Sequence, residues 1–195
     1  MLLAILRKLF KPLVYLQIKH RQKFYIDWVL PIVIGSVLTS IFFFSPVQIK
    51  LLGQGSLIGL VNGLLQILIG FFVASLAAVA TFQREGLDDF MVGTSPTLKG
   101  KKITRRQFVC YMFGYLALVS IALYFGGGLA ELTIGLLRVF FAENYLIFKI
   151  LSMFVYMSVL VNLIVTTMLA LYYLTDRIVR DNTVAPVLAQ SEHED

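Results

Sequence analysis

The sequence predicts an all-α membrane protein: a four-transmembrane-helix bundle preceded by an amphipathic helix in the membrane interface, with both termini cytoplasmic. Three observations predict it. No Asp, Glu, Lys or Arg interrupts residues 28–49, 51–83, 107–130 or 150–175. Each stretch supplies the ~20 apolar residues that a helix needs to cross a hydrocarbon core, and in lipid only a helix or a closed barrel satisfies its own backbone groups. Hydrophobic residues make up 58% of the 195-residue chain, far above soluble averages. The cations, finally, lie almost all on alternate sides of the apolar stretches. Fourteen of the 17 lysines and arginines fall in the N-terminal segment, the second loop and the tail, and only Lys50, Arg138 and Lys149 fall on the other side. The positive-inside bias assigns the fourteen to the cytoplasm.

Residues 1–26 read as a cytoplasmic basic segment. Met1 to Leu6 is too short for the apolar region of a signal peptide, and no small-residue cleavage site follows. At 100° per residue Leu2, Leu3, Ile5, Leu6, Leu9, Phe10, Leu13 and Val14 share one face, and Arg7, Lys8, Lys11 and Lys19 the other. This predicts an interfacial amphipathic helix, bent near Pro12, whose cations meet anionic headgroups.

The transmembrane domain, 27–175, holds helices at about 28–46, 57–82, 107–128 and 148–174. Asp27 and Trp28 read as an interface anchor pair, and Pro31 sits in the first turn of an otherwise lipid-facing helix that Ser45 and Pro46 stop. In the second crossing Gly59, Asn62, Gly63, Gln66, Gly70, Ala74, Ala77 and Thr81 fall within about 120° of one another. A stripe of small and polar residues lets another backbone approach closely. It serves either helix packing with interhelical hydrogen bonds or the lining of a hydrated axis in an oligomer. The opposite face, with Leu65 and Phe72, is assigned to lipid. The third crossing is expected to end at Gly126, Gly127 and Gly128. Residues 129–147 follow as a short amphipathic helix on the outer leaflet, or as an extension of either neighbour. In the fourth crossing Ser158, Asn162 and Thr166 form an i, i+4 row, and Asn162 is the expected partner of Asn62 or Gln66.

The cytoplasmic loop 84–106 begins acidic and ends with Lys99, Lys101, Lys102, Arg105 and Arg106, joined by a turn-rich connector. The basic run reads as a topology determinant and headgroup binder, and the loop's length leaves room for a soluble protein to dock. Thr104 is placed to cap the third helix. The acidic tail, 176–195, is expected to be unstructured from Thr183 onward. His20 and His193 have no metal-spaced companions, the single Cys110 lies within a crossing, and no phosphate loop or serine elbow is present. These features point to a non-enzyme with no cofactor and no direct contact with nucleic acid. No charge lies in the middle of any crossing, which disfavours proton relays, voltage sensors and coupled transport.

The basic N-terminal segment, Asp27-Trp28 to Pro46, the Gly59 to Thr81 stripe, the Lys99 to Arg106 loop and Asp176 to Arg180 together resemble, in size and topology, the membrane subunit of the bacterial Kiwa anti-phage defence system. The resemblance implies a homo-oligomeric, tetrameric sensor in the inner membrane. It also implies a cytosolic DNA-binding partner and a response to phage attack at the envelope. A holin-like or ion-conducting pore-former and a transporter subunit are the competing readings.

Overall fold

The computed structural model describes residues 10–18, 21–45, 55–81, 88, 96–98, 100–140 and 144–191. Four of its helices are long and apolar enough to cross a membrane: Tyr25–Phe44, Leu57–Thr81, Arg105–Thr133 and Tyr145–Thr175. The chain is therefore an all-α bundle of multi-pass membrane character. Of the expected interfacial contacts, Arg7, Lys8 and Lys19 lie outside the described residues, as does Lys99 in the second loop.

In its described part, residues 10–18, the N-terminal segment departs from the expected amphipathic α-helix. Lys11–Gln17 is a 3₁₀ helix with Pro12 in its first turn, where a missing N–H leaves no bond unmade. Three residues per turn bring positions i, i+3 and i+6 onto one edge, here Pro12, Tyr15 and Ile18. Tyr15 and Ile18 are buried in the main core, and Pro12 lies over Gly114 of the third crossing. Lys11, the one of the four expected polar-face cations among the described residues, is exposed. The tighter winding has turned this part of the segment onto the bundle.

The first crossing is built from α1 (Arg21–Phe24), a π-helical turn over Tyr25–Val29 and α2 (Leu30–Phe44). Its reading as a lipid-facing helix holds for one face only, on which Ile32, Val33, Val37 and Ile41 are exposed. Pro31, Gly35 and Thr39, four residues apart, are buried. A Cβ at Gly35 would lie 2.4 Å from Oγ and 3.0 Å from Cα of Ser158, so the first and fourth crossings meet backbone to backbone. On the open face Ser36 and Ser40 donate to the carbonyls of Ile32 and Ser36, which satisfies hydroxyls that lipid cannot.

The second crossing is α3 (Leu57–Thr81), with Ser56 at its N-terminus accepting a bond from the Gly59 N–H. Its buried residues are Val61, Leu65 and Phe72. This reverses the expected lipid assignment of Leu65 and Phe72, both fully buried. A short antiparallel hairpin, β1 (Thr97–Leu98) and β2 (Lys101–Lys102), turns at Gly100 with φ 80°. Buried Pro96 and Ile103 close its base through the Ile103 N–H donating to the Pro96 carbonyl at 3.3 Å. The hairpin takes up the end of the expected turn-rich connector and part of the basic run after it.

The third crossing, α4 (Arg105–Phe140), opens with a reciprocal cap. Thr104 Oγ1 accepts from the Gln107 N–H, and Gln107 Oε1 accepts from the Thr104 N–H. The helix runs through the triple glycine, correcting the boundary at 128. Gly127 serves packing: a Cβ there would lie 3.0 Å from Ile58 Cγ2 and 3.1 Å from Asn62 Oδ1. With 36 residues the helix is about 54 Å long, so residues 129–140 extend it rather than forming a separate helix. The last helix, α5 (Tyr145–Ser191), begins before residue 148 and continues to Ser191, within the segment expected to be unstructured from Thr183 onward.

Side by side, the principal packing pairs α2 with α5, α5 with α4, and α4 with α3, while the 3₁₀ segment lies on α4. The third crossing is the most buried of the four and the second the least. The core centres on Phe108, Met112, Phe113 and Leu116 of α4, with Tyr15, Leu65, Phe72 and Leu163 against them. The second crossing thus stands at one edge of the protomer.

Candidate functional site

The small-residue stripe lies on the outer face of that edge helix. Gly59, Gly63, Gly70, Ala74 and Ala77 are all exposed, and a Cβ built on Gly63 or Gly70 meets nothing within 4 Å. Val61, Leu65 and Phe72 point the opposite way, which the helical period makes unavoidable. The two amides at the stripe's margin reach the third crossing instead. Gln66 Nε2 donates to Tyr124 Oη at 3.1 Å, and Asn62 lies against Gly127. Among the described residues nothing lies against Gly63 or Gly70, and neither amide is hydrogen-bonded to Asn162.

Asn162 belongs to a different cluster, at the end of the bundle where the N-terminal segment docks. Its Oδ1 accepts from Tyr115 Oη at 2.7 Å, and its Nδ2 donates to the Asp27 carbonyl at 2.8 Å. That carbonyl is available because Pro31, four residues on, has no N–H to offer it. The Asp27 carboxylate is paired with the Lys23 ammonium and accepts from Tyr15 Oη at 3.3 Å. The Lys23 Nζ stands 3.9 Å from the centre of the Tyr15 ring, which stacks on Tyr115 with centroids 4.9 Å apart. Lys23 and Asp27 have 6% and 1% of their side chains exposed, so this is a buried ion pair rather than a surface one. Burial pushes the Tyr15 phenol up, and the Asp27 charge adds to that; burial pulls the Lys23 ammonium down against the support of the same carboxylate.

The sequence alone marks Asp27 as an interface anchor and Lys23 as one of the cytoplasmic cations, and it gives Tyr15 and Tyr115 no role. The available signal was Lys23 and Asp27 at i, i+4, a spacing that puts opposite charges on one helix face. Trp28, beside Asp27, is half exposed. Further along, Thr39, Ser120 and Thr166 are buried with hydroxyls that have no partner among the described residues.

The basic loop is divided by its structure. Lys101 and Lys102 are exposed on β2, and Arg105 is half-buried. Arg106 turns inward to the chain itself: Nε and Nη2 bind the two Asp88 oxygens at 2.8 and 3.1 Å, and Nη1 donates to the Val79 carbonyl at 3.3 Å. It clasps the acidic part of the loop and the end of the second crossing to the start of the third. Among the described residues no three His, Cys, Asp or Glu side chains converge as a metal site would require. No family model, curated protein or solved structure matches the chain.

Proposed function

We propose that this chain is a non-enzymatic sensor or scaffold of a bacterial inner membrane, self-associating through its second crossing and recruiting a cytosolic nucleic-acid-binding partner at its cytoplasmic loop. The observation that carries self-association is the open stripe. A helix at the edge of a bundle presents a row of glycines and alanines outward, while Val61, Leu65 and Phe72 pack inward. In lipid, close backbone approach is a main source of helix association, and small residues provide it. The cation asymmetry supports cytoplasmic termini, and the resemblance to the Kiwa membrane subunit supports a tetramer, an antiviral role and a DNA-binding partner. The alternative is a pore-former, holin-like or ion-conducting, with Asn62 and Gln66 lining the axis; in the protomer Asn62 lies against Gly127, and Gln66, still exposed, donates to Tyr124.

Gly63→Leu tests the assembly. The protomer has room for the side chain, so the variant is expected to insert and fold, and native mass measurement should show a smaller oligomer than the parent. Leu64→Ala, on an exposed flank away from the stripe, should leave the oligomer unchanged. An unaltered oligomer in Gly63→Leu would remove the second crossing as the interface.

Recruitment is expected to depend on the hairpin. Changing Lys99, Lys101 and Lys102 to Gln should reduce recovery of a DNA-binding cytosolic protein at least several-fold in mild-detergent pull-downs, because rim charges set encounter rate and orientation. Insertion should be intact, since Arg105, Arg106 and the N-terminal cations still mark the cytoplasmic side. Equal recovery would leave the loop as a topology determinant.

A further inference from the structure

We propose that Lys23 and Asp27 form a charge latch that holds the segment Lys11–Ile18 on the third crossing, so that neutralising either partner alone releases the segment while the four crossings stay assembled. Three geometric facts converge. Both charges are buried, so each is tolerated only because the other is present. The same two charges hold the segment's one fully buried ring: the ammonium faces the Tyr15 ring, and the carboxylate accepts from its hydroxyl. The π-helical turn brings Asp27 inward, and the peptide it belongs to is bound by Asn162, which in turn is bound by Tyr115.

The latch therefore joins four parts of the chain: the 3₁₀ segment, the first crossing, the third and the fourth. The second crossing is outside it. Loss of one charge leaves the other buried without its counter-charge, and the least disruptive way to hydrate it is to lift the segment that covers it. Lifting Tyr15 uncovers Phe108 and Tyr115, whose rings it touches, and frees Lys11 for the headgroup region. The device thus converts an electrostatic event at the edge of the bundle into exposure of a face on the central helix. It is independent of self-association, because none of its residues lies on the open stripe.

The test uses the full chain in mild-detergent micelles with Cys110→Ser and Ile18→Cys, Ile18 being 4% exposed. A water-soluble maleimide should react slowly with this parent. Asp27→Asn and Lys23→Gln should each speed labelling by about tenfold or more, a change equivalent to about 1.4 kcal/mol in the docked–released balance. The double variant Lys23→Gln with Asp27→Asn leaves no uncompensated charge and retains an acceptor for Tyr15, so labelling should return toward the parent rate. Circular dichroism and elution volume should be the same throughout. Rapid labelling in the double variant would mean that the side chains, not their charge balance, hold the segment. Parental rates in both single variants would mean that the pair holds nothing. A variant that fails to accumulate is read in the same way: loss in the singles with recovery in the double supports the latch, and loss in the double overturns it.

Discussion

Gly35→Leu is expected to prevent accumulation of the folded protein, although glycine-to-leucine at Gly63 in the next crossing is expected to be tolerated. At Gly35 even the first added carbon falls within 2.4 Å of Ser158 Oγ and 3.0 Å of its Cα. A rotamer change at Ser158 relieves the first contact but not the second, because Cα moves only if the whole fourth crossing moves. Overpacking a close-packed site by a methylene or two costs about 1–3 kcal/mol, and a leucine adds four carbons at a backbone seam. The measurement is the yield of monodisperse protein after detergent extraction, with thermal unfolding of whatever is recovered. Gly35→Ala should fold with a lowered midpoint. A Gly35→Leu protein with parental yield and midpoint would show that the first and fourth crossings are not in contact at this position.

Phe72→Ala is expected to be the most destabilising truncation in the second crossing, at about 2–3 kcal/mol. That sits below what such a change costs in soluble cores, about 3–5 kcal/mol. The reduction follows from the reference state: a helix that leaves the bundle exposes Phe72 to lipid tails, which are as apolar as the core, so only the cavity and lost packing remain. Phe72 is fully buried and stands against Phe113 of the third crossing with centroids 6.3 Å apart. Val73→Ala, the exposed next residue, should change stability by less than about 0.5 kcal/mol. Reversible unfolding in mixed micelles reads both. Equal effects at 72 and 73 would mean that this face of the second crossing looks onto lipid.

The loop shows how far local signals carry. The Thr104–Gln107 cap follows from four consecutive residues and involves only hydrogen bonds within one turn. The Arg106–Asp88 pair joins residues whose sequence neighbourhoods looked like two opposite patches. Segregated charge along a loop is read as a surface for a partner until the fold shows one patch answering the other.

What the sequence by itself determined was the number and location of the crossings, since an unpaired charge is excluded from hydrocarbon wherever the helices later sit. It also contained the small-residue stripe, because the helical period alone puts Gly59, Gly63 and Gly70 on one face. Only the tertiary structure decided which face of each helix turns inward. A leucine is as content against lipid as against protein, so hydropathy could not separate Leu65 from Leu64 or place the stripe on the outside. The same holds for the triple glycine. Glycines can end a helix or let a neighbour in, and only the position of Asn62 and Ile58 beside Gly127 selects the second. It holds most of all for Lys23 and Asp27: at the boundary of a crossing the two charges are compatible with water, and they become a buried pair only because Tyr15, Tyr115 and Asn162 close over them from three other parts of the chain.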